Sequence, residues 1–378
     1  MPVRHCRVCG GGFFDEPLLR YQNMPSVAQL LPDRDSLADD RGIDLEICQC
    51  SGCGLVQLSN DPVPYFRETI RAAAFSKEMR DFRIDQFSRF IDRYFLLGKK
   101  VLEVGCGRGE YLSLLRHCGA DPYGLEQSRG SVEACLAEGL KVSRGFLEQS
   151  DTRLDNAPFD AFIILNFLEH LPDINTVLRG ICTNLADGAV GLIEVPNFDM
   201  MVKKNLFSEF TRDHLFYFTR DTISETVKRC GFEILECTEV WHEYIISAVV
   251  RKRARLDLGQ FHHHQTKLKR AIDEFTNQFG QSKVAIWGAG HQAFALLSLL
   301  DMADKIRYVV DSAVFKQGRF TPATHIPIVP PETLETDPVD AVIVMAASYS
   351  DEVARIIRER FDKELKVSIV RDFGLELV

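Results

Sequence analysis

Two cysteine pairs and one glycine-rich turn carry most of the chemistry that the residue types and spacings allow. Cys6-Arg-Val-Cys9 and Cys50-Ser-Gly-Cys53 are C-x-x-C knuckles, each followed by a glycine (Gly10, Gly54) that lets backbone amides turn toward thiolate sulfurs. Four thiolates so spaced suit tetrahedral zinc, and a closed four-cysteine set leaves no coordination position for substrate, so the zinc expected here is structural. Cys48 is close enough in sequence to compete as a ligand. The second feature is Val101-Leu-Glu-Val-Gly105-Cys-Gly107-Arg-Gly109, three glycines directly after an apolar strand, with Glu126 ending the next strand in Tyr123-Gly-Leu-Glu126. Such glycines let backbone approach a ligand closely, and an acid at that strand end can accept both hydroxyls of a ribose.

These residues need a frame. Met79, Phe82, Ile84, Phe87, Phe90, Ile91 and Phe95 recur at helical spacing, which predicts an amphipathic helix over about 76–95. Strand and helix patterns then alternate through 100–104, 110–117, 122–126, 131–138, 159–165, 174–185 and 189–195, the order of βαβ units in a mostly parallel sheet. Residues 231–251 read as an antiparallel pair closing it, and the polar stretch 251–269, with His262, His263 and His264, as a solvated junction. A second strand, glycine turn and helix starts at Lys283-Val-Ala-Ile-Trp-Gly288-Ala-Gly290 and continues through strands near 308–311, 341–345 and 367–370. The expected fold is α/β: a doubly wound sheet at 66–255, a small zinc-binding lobe at 1–65 and a Rossmann-like domain at 256–378.

Composition bounds the function. At 378 residues the chain is long enough for two or three cores, so its 11 cysteines are not a disulfide scaffold. An odd thiol count and the lack of an apolar run near 18 residues lead to the expectation of a soluble protein in a reducing cytoplasm, without a membrane partner. A net charge of -9 argues against general nucleic-acid binding.

The pattern E-x-G-x-G-x-G, with Glu103 inside the strand, resembles the first motif of class I methyltransferases that use S-adenosylmethionine. Asn166-Phe-Leu-Glu-His170-Leu-Pro and Gly191-Leu-Ile-Glu-Val-Pro196-Asn197 extend that resemblance. It implies that the turn (Gly105, Cys106, Gly107, Gly109) holds the methionine part and Glu126 with Gln127 the ribose. It also implies that Phe146 and Leu147 flank the adenine and that Asn166 lies where the methyl group is presented. Over nearly the whole chain the order of parts is similar to the C-methyltransferases of nucleotide-linked deoxysugars. Cys50-Ser-Gly-Cys53-Gly-Leu-Val-Gln-Leu58 resembles their second knuckle, Asp213-His214-Leu-Phe-Tyr217-Phe-Thr219 their Glu-His-x-x-Tyr-Phe-Ser segment, and Lys316-Gln-Gly-Arg319 with Asp311 their C-terminal domain. The family implies methylation of a carbon beside a ketone, with His214 as base, Asp213 orienting it and His170 as a second histidine that polarises or relays.

Departures from that family cluster on the acceptor side. Its Tyr-x-Glu-His reads Thr211-Arg-Asp213-His214, its aromatic segment reads Ile70-Arg-Ala-Ala-Ala-Phe75-Ser76 without tyrosine, and its Gly-Gly-Ser-x-Arg strand reads Trp241-His242-Glu243-Tyr244. Thr211, Tyr217, His242 and Tyr244 are therefore candidate substrate contacts, with Lys316 and Arg319 for a diphosphate. O- or N-methylation of a nucleotide-linked sugar is the alternative reaction, and a non-catalytic zinc scaffold that binds nucleotides is the alternative of another class.

Overall fold

The apolar runs 159–165 and 185–196 become neighbouring strands at the centre of a seven-stranded sheet, buried on both faces as parallel strands must be. The computed structural model describes residues 3–29, 31–68, 76–281, 283–361 and 363–378. They form two compact units, 1–254 and 255–378. The segment 70–75, where the family's tyrosine is missing, lies outside the described residues.

The first unit runs β1 (Leu19–Met24), β2 (Ile43–Gln49), β3 (Val56–Leu58), α1 (Lys77–Arg93), β4 (Lys100–Val104), α2 (Glu110–His117), β5 (Asp121–Glu126), α3 (Arg129–Ala137) and β6 (Lys141–Arg144). It continues with β7 (Phe159–Leu165), α4 (Ile174–Thr183), β8 (Leu185–Pro196), α5 (Phe198–Lys203), β9 (Phe216–Tyr217), α6 (Arg220–Arg229), β10 (Phe232–Val240) and β11 (Ile245–Lys252). The large sheet is ordered β10-β11-β8-β7-β4-β5-β6, and the antiparallel β10–β11 pair closes it beside β8. From β4 the chain proceeds to β5 on one side, while β7 returns on the other. That switch point opens a crevice beyond the carboxyl ends of β4 and β7.

Three details of α1 go beyond its apolar count. Ser76 caps it by accepting from the Met79 amide at 3.1 Å. Phe95 falls past the end of the helix and is exposed. On the inner face sits Arg83, wholly buried and ion-paired with the equally buried Glu194 of β8. A buried arginine is tolerable because its charge is matched there, which apolar periodicity does not register.

The N-terminal strands form a second, antiparallel sheet ordered β1-β2-β3-β9. Its last strand comes from far along the chain: Val56 pairs with Tyr217 and Gln57 with Phe216. Leu45, Ile47, Val56 and Leu58 share a core with Phe198, Met200, Met201, Phe210 and Tyr217, so lobe and large sheet are joined by ladder and packing.

The second unit comprises α7 (Gly259–Thr276), β12 (Val284–Trp287), α8 (His291–Leu299), β13 (Ile306–Val310), β14 (Ile328–Val329), α9 (Thr333–Thr336), β15 (Ala341–Val344), α10 (Ser350–Arg360), β16 (Lys366–Arg371) and β17 (Gly374–Leu377). Its sheet, β14-β13-β12-β15-β16-β17, is parallel except for β17. His262, His263 and His264 are exposed, yet they lie within α7, whose later turns bury Leu268, Ile272 and Phe275. Among the described residues no helix is long and apolar enough to cross a membrane.

Candidate active site

The glycine turn follows β4 in left-handed backbone, with φ of +71° at Gly105 and +56° at Gly107. A Cβ on Gly105 would stand 2.7 Å from the Phe167 ring, so no larger residue fits. Gly109 caps α2, and Cys106 turns inward to pack with Leu112, Cys135 and Leu140. The Glu126 carboxylate accepts the Gly107 amide at 2.9 Å and the Ser128 amide at 2.8 Å, which holds it at the turn. Across the crevice Asn166 adopts φ +49° after β7, its amide donating to the Glu194 carbonyl at 2.8 Å. Its side-chain Oδ1 is buried without a hydrogen-bond partner. An unmet buried acceptor costs about 1–3 kcal/mol, which a ligand donor would recover. A cradle of glycine amides, an anchored acid and an orphaned acceptor together fit S-adenosylmethionine.

The remaining residues expected at the cofactor are distributed around this core. Glu103 is fully buried in β4, and Gln127 is half-buried just past β5 with its carbonyl accepting from Arg144 Nε at 3.2 Å. Phe146 is half-buried, edge-on to Phe66 at 6.2 Å, with the Arg67 guanidinium 5.3 Å above its ring. Leu147 instead enters the core, where its side chain lies against Gly180.

A cavity of about 410 Å³ continues from Gly105, Gly107 and Asn166 to a cluster of Glu169, His170 and His214. Two hydrogen bonds position His214 from either side. The Asp213 carbonyl lies 2.7 Å from His170 Nδ1, and the Leu215 amide donates to the Glu169 carbonyl at 2.8 Å. Because a carbonyl only accepts, His170 carries its proton on Nδ1 and keeps the Nε2 lone pair, 3.9 Å from Glu169 Oε1. The two imidazoles meet edge to face at 4.8 Å. Burial, and then the neighbouring His170, push the His214 pKa down to about 3; burial lowers that of His170 too, against the pull of the Asp213 carbonyl. Both rings are therefore neutral at pH 7 and able to accept a proton. The donor atoms of Glu169, His170 and His214 lie within 4.8 Å of one another, close enough to share a proton or a divalent cation.

Several acceptor-side expectations change. Asp213 does not orient His214 through its side chain: the carboxylate accepts the Tyr65 hydroxyl at 2.9 and 3.0 Å and the Ala28 amide at 3.1 Å, and only its carbonyl serves the histidine pair. Tyr217 is buried among Phe198 and Phe210. Its oxygen accepts the Thr211 amide at 3.0 Å and its hydroxyl donates to the Thr211 carbonyl at 3.2 Å, so this pair braces the loop. His242 is exposed beside Glu78, whereas Tyr244 lines the cavity and donates to Glu209 at 2.8 Å. In the second unit Lys316 pairs with Asp311 at 2.8 Å, and Arg319 Nε reaches the Phe315 carbonyl at 3.1 Å. Tyr65, Gln29 and Trp241 were not expected at the site. Tyr65 follows proline-punctuated loop, where no periodicity marks a side chain as inward.

The four knuckle cysteines gather as their spacing suggests, with donor atoms within 4.8 Å of one another. Cys6 Sγ lies 3.7 Å from Cys53 Sγ, near the edge of roughly 3.8 Å that zinc–sulfur bonds of about 2.3 Å give a tetrahedron. Amides of Gly11, Gly52 and Cys53 point at Cys9 and Cys50 sulfurs from 3.3–3.4 Å, and Gly10 and Gly54 turn with φ of +75° and +76°. Cys48 is buried in β2, outside the four. The set could hold zinc.

Comparison with known proteins finds methyltransferase models on two stretches of the chain. Residues 77–237 match the model of a methyltransferase domain, and residues 257–369 that of a C-methyltransferase C-terminal domain. The C-methyltransferase NovU of Streptomyces niveus is 23% identical over 93% of this chain and 91% of its own length. A ubiquinone biosynthesis O-methyltransferase of Chromobacterium violaceum is 31% identical over 29% of this chain, and the match spans only 49% of that relative. Among solved structures, an S-adenosylmethionine-dependent methyltransferase from Clostridium acetobutylicum aligns over 50% of this chain and 96% of its own, at 13% identity and a TM-score of 0.38. The chain is an S-adenosylmethionine-dependent methyltransferase that joins a methyltransferase domain to a C-methyltransferase C-terminal domain.

Proposed function

We propose that the chain methylates carbon beside the ketone of a nucleotide-linked keto-deoxysugar. The observation that carries this reading is the single cavity running from Gly105 and Asn166 to His214 and His170. S-adenosylmethionine, when bound, supplies an electrophilic methyl on a sulfonium that is already a good leaving group, so the protein's task is proton removal and alignment. Neutral His214 accepts the proton from the α-carbon, and the carbon's electron pair takes the methyl. The Glu169 carboxylate in the same wall offsets the positive charge that forms on the imidazoles. His170, held by the Asp213 carbonyl, offers its Nε2 as a second proton acceptor. The proton leaves to solvent after transfer.

A relative named C-methyltransferase, alike over most of both chains, supports carbon as target. Two relatives that match only 29% and 24% of this chain are named ubiquinone biosynthesis O-methyltransferases, which favours deprotonation of a hydroxyl as the second reading. The reading also assigns structural zinc to the 1–65 lobe and a cytoplasmic location to a chain whose described cysteines are free thiols. It is tested by incubating the protein in deuterated water with S-adenosylhomocysteine, which cannot donate methyl, and a nucleoside-diphosphate 4-keto-6-deoxyhexose. Exchange at the carbon beside the ketone is expected. Absence of exchange, with methyl transfer to an acceptor lacking a ketone, overturns carbon in favour of oxygen or nitrogen.

A further inference from the structure

Between β10 and β11 three consecutive non-glycine residues are left-handed: Trp241 at φ +49°, His242 at +57° and Glu243 at +67°. Each carries the Cβ–carbonyl crowding that makes this conformation rare outside glycine, and a run of three persists only where the surroundings over-determine it. They do so here. Wholly buried Asn197, at the end of β8, donates its side-chain amide to the Glu243 carbonyl at 2.7 Å and its backbone amide to the Tyr244 carbonyl at 2.9 Å. The Tyr244 amide closes the turn on the Trp241 carbonyl at 3.0 Å, and Lys204 pairs with Glu243 at 3.1 Å. Phe82 of α1 backs the indole, with ring centroids 5.3 Å apart.

The consequence lies in the cavity wall. Trp241 and Tyr244 face the same space as Asn166 and His214, and the Tyr244 hydroxyl at its rim is fixed by Glu209. A half-buried indole clamped from behind is a flat, apolar, pre-ordered surface. It suits the C–H face of a six-membered sugar ring, which it would bind alike in ground and transition state.

We propose that the left-handed turn 241–243 presents Trp241 as the platform on which the acceptor's sugar ring stacks, making Trp241 a specificity-determining residue. This rests on the sugar reading of the cavity.

The chain has two tryptophans, Trp241 and Trp287, so Trp287→Phe leaves Trp241 as sole indole reporter. With S-adenosylhomocysteine present, titration of that variant with a nucleoside-diphosphate 4-keto-6-deoxyhexose should quench and blue-shift its emission to saturation. The nucleoside diphosphate alone should not. In turnover, Trp241→Ala should raise the acceptor KM at least tenfold with kcat and the cofactor KM within about threefold, and Trp241→Phe should recover most of the loss. His242→Gly relieves one left-handed residue and should raise the melting temperature while raising the acceptor KM. An unchanged acceptor KM in Trp241→Ala, or equal quenching by the nucleoside diphosphate, overturns the platform. If the wild type instead methylates an acceptor without a sugar ring, the sugar reading fails and the platform falls with it.

Discussion

The chain contains the same loop device twice, and the copy in the first unit opens on the histidine cavity. In both units a buried strand ends in Gly-x-Gly before a helix, and an acid closing or following the next strand accepts backbone amides: Gly107 and Ser128 onto Glu126 at 2.9 and 2.8 Å, Ala289 and Ala313 onto Asp311 at 2.9 and 2.8 Å. The surroundings differ. Opposite Gly105 stand Asn166, with its orphaned oxygen, and the histidine pair. Opposite Gly288 the Met345 carbonyl lies 2.6 Å from where a Cβ would be, and Asp311 is neutralised by Lys316 at 2.8 Å. A glycine turn with an acid thus builds a crossover, and the loop across the switch point decides whether it becomes a reaction site.

This contrast can be broken experimentally. The largest effect is expected from His214→Ala, which should lower turnover about a thousandfold while cofactor affinity by calorimetry stays within threefold. Activity within tenfold of wild type would move the base elsewhere. Next, Glu126→Ala should weaken S-adenosylmethionine binding about a hundredfold, whereas Asp311→Ala should leave it unchanged; equal losses would mean that the turns are not functionally distinct. Gly288→Ala meets both φ +115° and the Met345 carbonyl, so it should destabilise the second unit by about 2 kcal/mol without altering cofactor affinity. A silent substitution there would show that the turn is slack.

The smallest effect concerns pH. Because the His214 pKa is pushed down to about 3, the unfolded chain binds more protons than the folded one between that value and about 6.5, the ordinary histidine range. Stability from this group should therefore fall as pH drops below about 6.5, with kcat/KM retained to lower pH than an ordinary histidine allows. A kcat/KM limb centred at 6.5 would mean that His214 is solvated when it reacts.

Most of the first turn was legible because its function is enforced locally: Gly105 needs its φ and its closeness to Phe167, and Glu126 must end the neighbouring strand. The alternation of strands and helices was legible for the same reason, apart from short elements such as β9. The acceptor side was not. Asp213 meets Tyr65 across most of the first unit, Arg83 is buried only because Glu194 awaits it, and the Trp241 turn is held by Asn197. Each depends on a partner distant in the chain that spacing does not name.

The sheet that joins β3 to β9 also imposes an order of assembly. Both knuckles leave the ribosome on the order of ten seconds before Phe216 and Tyr217 can complete their edge. For that interval four thiols belong to a nascent lobe whose last strand has not been made, and metal capture, oxidation and mispairing compete for them. Were the four sulfurs to hold zinc, metal taken up during synthesis would protect that unfinished lobe until its edge strand arrives.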